Sequence, residues 1–181
     1  MKKIIIWLTA IGFMLIVLTI GAYSVVFNLL AEYNQPTAQA TQVVQPKQIP
    51  LPLATDIEAG INQYRISQGV APLNSEVPSL DQAAQSRADQ MCAENDWSHN
   101  KGWELLSPYY NYSYAGENLY YGYLQKDQAA DAVADWIASP THRANMVDSE
   151  YIEMGVAVKA CPGFQGEPTA VIVTNYFGVP R

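Results

Sequence analysis

A chain of 181 residues has room for one ordinary domain, and 17 acidic against 10 basic side chains give it a formal net charge of −7. That balance excludes the Lys- and Arg-rich surfaces that nucleic acids and anionic lipid headgroups select, so neither is expected as a partner of the folded part. In chain order, Met1-Lys2-Lys3 precedes a run from Ile4 to Leu30 that contains no charged residue. About 20 apolar residues suffice to cross the hydrocarbon core as a helix. Lys2 and Lys3 are the only charges ahead of the run, which predicts a single span with its N-terminus in the cytoplasm and the remainder outside. Without those two lysines, 17 acids stand against 8 bases after residue 30, a net of −9. Ala38-Gln39-Ala40 offers a small-x-small site for the alternative, secretion after cleavage near Ala40. The apolar run exceeds the roughly 7–15 residues of a signal h-region and ends well before Ala40, which favours the anchor. Residues 1–30 are therefore read as a transmembrane anchor or uncleaved signal. Residues 31–54, with Gln35-Pro36-Thr37 and Gln45-Pro46-Lys47-Gln48-Ile49-Pro50, lack the bulky groups to bury a core and read as an extended stalk.

The folded domain is assigned to residues 55–181. Thr55 with Glu58 three residues on forms a capping signature. Ile57, Ile61 and Tyr64 share one helical stripe, and Gly69 ends it. A second helix is predicted after Pro78, with Leu80, Ala84, Ala88 and Met91 on one face and Cys92 near its end. A third starts near Asp127, presents Ala129, Val133, Trp136 and Ile137, and stops before Pro140. The period then changes: residues 155–161 and 169–177 read as strands, joined by a turn-rich 162–168 as an antiparallel hairpin. The Tyr- and Gly-rich tract 109–123 receives no element. Helices followed by strands imply an α+β fold. Cys92 and Cys161 form an isolated, distant pair, most simply one disulfide in an oxidising compartment. Closing a loop of about 70 residues would stabilise by roughly 3–4 kcal/mol. Two buried free thiols are the alternative; a Cys-based metal site is disfavoured because neither cysteine has a second nearby.

The two histidines each lie among polar or turn-forming residues, in Trp97-Ser98-His99-Asn100-Lys101-Gly102 and in Ser139-Pro140-Thr141-His142-Arg143-Ala144-Asn145-Met146. Between them comes Ala115-Gly116-Glu117-Asn118-Leu119. Together with Ile61-Asn62-Gln63-Tyr64-Arg65, Leu80-Asp81-Gln82-Ala83-Ala84, Glu153-Met154-Gly155-Val156 and Thr174-Asn175-Tyr176-Phe177-Gly178, these blocks stand in a recognisable order. In them the chain resembles a CAP domain (cysteine-rich secretory protein, antigen 5 and pathogenesis-related superfamily; SCP domain) of the shorter bacterial exported form, over about residues 55 to 178. The resemblance implies a three-layer α-β-α sandwich with a cleft that in many members holds two His and two Glu, and in some a divalent metal. Carried over, His99, Glu117 and His142 fill three of those positions. The fourth does not transfer: counting from Trp136 reaches Ser139, and Glu153 stands at a strand entrance as a weaker substitute.

Two imidazoles suit zinc or another divalent cation, with Glu117 either a ligand or a partner orienting a histidine. The expected function is a membrane-tethered, extracytoplasmic binding module for a metal, a small or lipid-like ligand, or an envelope partner. One alternative is a metal-dependent hydrolase of envelope peptide or glycan, using water at an open coordination position. The other is a structural or adhesion protein in which the three groups only pin loops to the sheet. The clustered tyrosines of 109–123 read as packing or as an aromatic surface for carbohydrate or peptide. Ser98 and Ser139 lie near the histidines, but neither stands in a Gly-x-Ser-x-Gly turn.

Overall fold

The computed structural model describes residues 50–124 and 129–181. The predicted span, the Ala38-Gln39-Ala40 site, the stalk up to residue 49 and the Asp127 helix start lie outside the described residues. Among the described residues no helix is long and apolar enough to cross a membrane.

Helix α1, Ala54–Ser67, buries Ile57 and Ile61 completely. It begins one residue before the predicted Thr55 cap, with Leu53 at the N-cap and no side-chain capping bond. Glu58 does not reach back to close a capping box. It follows Ile57 inward and is only 8% exposed. At the other end Gly69 turns the chain at φ +75°, and the Val70 amide donates to Arg65 O at 2.9 Å. Helix α2, Pro78–Glu94, starts on proline, whose missing N–H costs nothing in a first turn. Leu80, Ala84, Ala88 and Met91 are fully buried, as their spacing predicts. A short α3, Gly102–Leu106, follows.

Strand β1, Tyr112–Tyr123, is the tract without an assignment from sequence. Its centre is buried on both faces, so it carries no apolar–polar alternation to read. The predicted third helix is α4 (Ala129–Ala138), which ends before Pro140 as expected, and a further helix not expected from sequence, α5 (Pro140–Val147), follows it. Pro140 stops the first by sterics yet fits the opening turn of the next, with Ser139 extended at its N-cap. His142 therefore sits in a helical first turn. Strands β2 (Glu153–Cys161) and β3 (Ala170–Pro180) form the expected antiparallel hairpin, in register from Glu153↔Gly178 to Cys161↔Ala170. β1 pairs antiparallel with β3 on its other side, giving the order β1-β3-β2.

Side chains alternate across this sheet, and helices cover both faces. One face, with Leu119, Ala157, Ile172 and Tyr176, packs on α2. Contact there is close: a Cβ on Gly155 would lie 2.4 Å from the Leu80 backbone carbon. Thr174 Oγ1 also donates to Ala84 O at 2.6 Å. The other face, with Tyr120, Val156, Val173 and Phe177, packs on Ile57, Ile61, Trp136 and Met146 from α1, α4 and α5. Arg65, buried at 1% exposure, satisfies carbonyls at the end of α5, donating to Met146 O and Asp148 O at 2.8 Å each. The Cys92–Cys161 disulfide, with Cα atoms 5.7 Å apart, ties the end of α2 to the end of β2. The domain is thus an α+β fold with a three-stranded antiparallel sheet.

Candidate functional site: an imidazole pair at the sheet edge

β1 is an edge strand, and two consecutive residues use its two faces. Glu117 points toward α2 and Asn118 toward α4 and α5. The Glu117 carboxylate is 3% exposed, and one oxygen accepts from Arg87 Nε at 2.9 Å. Arg87 is itself fully buried, and its guanidinium also donates to Gln90 Oε1 and to Ser98 O. A buried carboxylate is tolerated when a guanidinium neutralises it and every donor is matched. The other Glu117 oxygen lies 2.5 Å from His99 Nδ1. A carboxylate can only accept, so Nδ1 carries the proton and the neutral ring keeps its lone pair on Nε2. Gly102 allows this approach, since a Cβ there would stand 3.0 Å from the Glu117 carboxyl. Tyr176 backs the same site by donating to Gly102 O at 2.7 Å. Burial, followed by the Glu117 charge, pushes its ionisation well above the usual tyrosine range.

On the opposite face, Asn118 Nδ2 donates to His142 O at 3.0 Å, and Asn145 Nδ2 donates to Asn118 Oδ1 at 2.9 Å. Asn145 also reaches Glu117 O at 3.3 Å, and Trp136 Nε1 donates to Leu119 O at 3.0 Å. These bonds seat α4 and α5 against the open edge of β1. They bring the His142 ring round that edge to within 6.4 Å of the His99 ring, centroid to centroid. Burial, then the neighbouring His99, hold the His142 pKa below the ordinary histidine value, so it is neutral at neutral pH. The His99 side chain is 57% exposed, so the pair opens to solvent.

The structure brings His99, Glu117 and His142 together and leaves Glu153 outside. Glu153 is on the Glu117 face, but its carboxylate accepts from the Tyr110 hydroxyl, and no contact among the described residues joins it to either imidazole. Ser139 stands at the N-cap position of α5 without a side-chain capping bond, and its hydroxyl pairs with that of Thr141 at 3.3 Å. Ser98 donates to Asp96 at 3.0 Å, and no hydrogen bond among the described residues joins its hydroxyl to an imidazole. Sequence reasoning missed Arg87, Asn118 and Asn145. Arg87 left one signal, a charge seven residues after Leu80 on the stripe otherwise held by Ala84 and Met91. Among the described residues no three His, Cys, Asp or Glu side chains converge as a metal-ligand set. With both Glu117 oxygens engaged, the donors left facing one another are the two imidazoles.

The model of the cysteine-rich secretory protein family (CAP) matches residues 59–177. No curated protein matches the chain. Among solved structures, an outer surface protein from Borrelia burgdorferi aligns at 16% identity and TM-score 0.60, over 70% of this chain and 92% of that one. A cysteine-rich secretory protein from Staphylococcus aureus subsp. aureus Mu50 aligns at 17% identity and TM-score 0.53, over 69% of this chain and 38% of its own. An extracellular SCP-domain protein from Bacillus anthracis str. Ames aligns at 18% and 0.53, over 70% and 40%. This chain thus spans well under half of the latter two, and at these identities the likeness is one of fold. The family match runs from within α1 to within β3 and takes in every residue of the imidazole site: the chain belongs to the CAP, or cysteine-rich secretory protein, family.

Proposed function

We propose that this protein is an exported CAP-domain binding module whose ligand centre is the His99–His142 pair, with a divalent cation such as zinc as the group it holds. The observation that carries this reading is the state of His142. Its ring makes no hydrogen bond among the described residues, is kept neutral, and faces a His99 ring whose free nitrogen is set by Glu117. A structural histidine normally satisfies its ring nitrogens when partly buried. Glu117 acts from behind as the carboxylate that orients and polarises His99, a common arrangement for a ligating imidazole. A bound cation would supply Lewis acidity toward an oxygen of the ligand. Glu117 is poorly placed as a general base, because both its oxygens are already committed to Arg87 and His99. That favours binding over hydrolysis.

Export is supported by the uncharged run from Ile4 to Leu30 and by the disulfide, which persists in oxidising compartments. The outer surface and extracellular relatives point the same way. The N-terminal run would hold the domain to a membrane and the stalk would limit its reach to the near envelope. Calorimetric titration of the purified chain with zinc is expected to give one site per chain that His142→Ala removes. Equal zinc binding by the wild type and that variant would refute the reading.

A further inference from the structure

We propose that the edge of β1 is a docking trough for a neutral β-linked glycan chain, lying across the imidazole pair with a tryptophan platform at each end. The inference rests on the reading of that pair as a ligand centre and names the class of ligand. A bulge between Tyr112 and Tyr114 places Tyr112 on the same face as Ala115, Glu117, Leu119 and Tyr121. The segment joining α2 to α3, with α3 itself, lies along this row. It sets Trp103 near Tyr112, ring centroids 6.4 Å apart, and Trp97 edge-on to Tyr121 at 4.7 Å. His99 stands between them on Glu117.

Both platforms are open, Trp103 at 47% exposure and Trp97 at 39%. Exposed tryptophan is unusual enough to need a reason, and two in one row flanking a polar centre form a pattern. Beside Trp103 a groove of about 290 Å³ runs along Tyr112, Ser113 and Ala115. The nine steps along the strand from Tyr112 to Tyr121, at ~3.3 Å each, span roughly 30 Å, which calls for an elongated ligand.

Two elongated alternatives fit less well. A peptide would add to β1 through the backbone, but the Glu117 and Leu119 carbonyls are already taken by Asn145 and Trp136. An anionic polymer would meet Glu94 at the end of α2 and Asp96 and Glu104 beyond it, where Lys101 is already paired to Glu94 at 2.5 Å. An uncharged sugar chain needs neither: its C–H faces lie on aromatic rings, and its hydroxyls bond the free nitrogen of His99 and the Ser113 hydroxyl.

The test titrates the full-length protein in detergent with hexamers of β-linked glucose and of β-linked N-acetylglucosamine, followed by tryptophan fluorescence and calorimetry. At least one hexamer is expected to bind saturably, with the matching dimer much weaker because it spans one platform only. Trp103→Ala, whose ring contact is with Tyr112, should weaken binding about tenfold. Trp97 also packs on Phe164, so Trp97→Tyr, which keeps an aromatic ring, supplements the alanine variant at that end and should retain most of the affinity. Failure of both hexamers, equal binding by wild type and Trp103→Ala, or displacement of the sugar by an uncharged extended peptide would overturn the proposal. Zinc binding measured alongside separates the two readings. Zinc bound without a hexamer sinks the glycan trough alone, and a Trp103-dependent hexamer without zinc sinks the cation alone.

Discussion

Glu58 makes stability depend on pH with a sign opposite to that of an ordinary salt-bridged acid. It is 92% buried on α1, beside Asp81 of α2, with a hydrogen bond from the Ser75 side chain. Burial, and then the Asp81 charge, raise its pKa from 4.5 to about 7. Asp81 is raised as well, by burial against a bond from the Val156 amide, and its Oδ1 is buried without a hydrogen-bond partner. The two carboxyls titrate as a pair. Between about pH 4.5 and about pH 7 the folded protein holds a proton that the unfolded chain has released. Stability from this group is therefore complete at low pH and falls as pH rises through that window. At 1.36 kcal/mol per unit the shift corresponds to about 3 kcal/mol. Glu58→Gln keeps the shape and removes the charge. Relative to wild type it should be more stable by about 2–3 kcal/mol at pH 8, on the order of 10 °C in Tm, and nearly equal at pH 5. Thermal and urea melts of both proteins at pH 5, 6, 7 and 8 measure this, and the difference between the two proteins cancels groups such as His142. A difference independent of pH, or one that favours wild type at pH 8, would refute the reasoning.

Arg87→Met strands the buried Glu117 carboxylate and should cost about 3–5 kcal/mol in urea melts, with Glu117→Gln in the same chain recovering part of it. A loss below about 1 kcal/mol would show that the pair is not buried as described. Replacing Cys92 and Cys161 with alanine opens a 69-residue separation and should cost about 4 kcal/mol; melting unchanged by the replacement would contradict the bridge. Gly155→Ala drives a methyl to 2.4 Å from the Leu80 carbon and 2.6 Å from the Asp81 nitrogen, both backbone, so α2 must shift. A loss of at least about 2 kcal/mol is expected from melts, and a neutral result would mean that α2 packs less closely on β2.

What could be read from sequence divides along physical lines. α1, α2 and the β2–β3 hairpin were legible because each obeys a period: Ile57 and Ile61, Leu80 through Met91, and residues 155–161 against 169–177. β1 was not, because helices cover both its faces and erase the alternation that marks a half-exposed strand. α5 was hidden by Pro140, which reads as a stop and acts here as a start. Glu58 passed for a capping residue because its neighbour Asp81 is remote in sequence. At the site, His99, Glu117 and His142 could be named from ordered motifs, yet their roles depend on partners that no local pattern shows. Arg87 reaches Glu117 from α2, and Asn145 of α5 bonds Asn118 of β1, both across long stretches of chain. Glu153 could not be separated from the cluster until its bond to Tyr110 was seen.

The central claim is that the two imidazoles hold the ligand centre while Glu117 stays behind His99. A crystal structure of the zinc-loaded protein tests it most directly. The account predicts zinc bound by His99 Nε2 and the His142 ring, with Glu117 still bonded to Arg87 and to His99 Nδ1. Zinc ligated directly by Glu117, or found elsewhere with the imidazole pair unchanged, would contradict it.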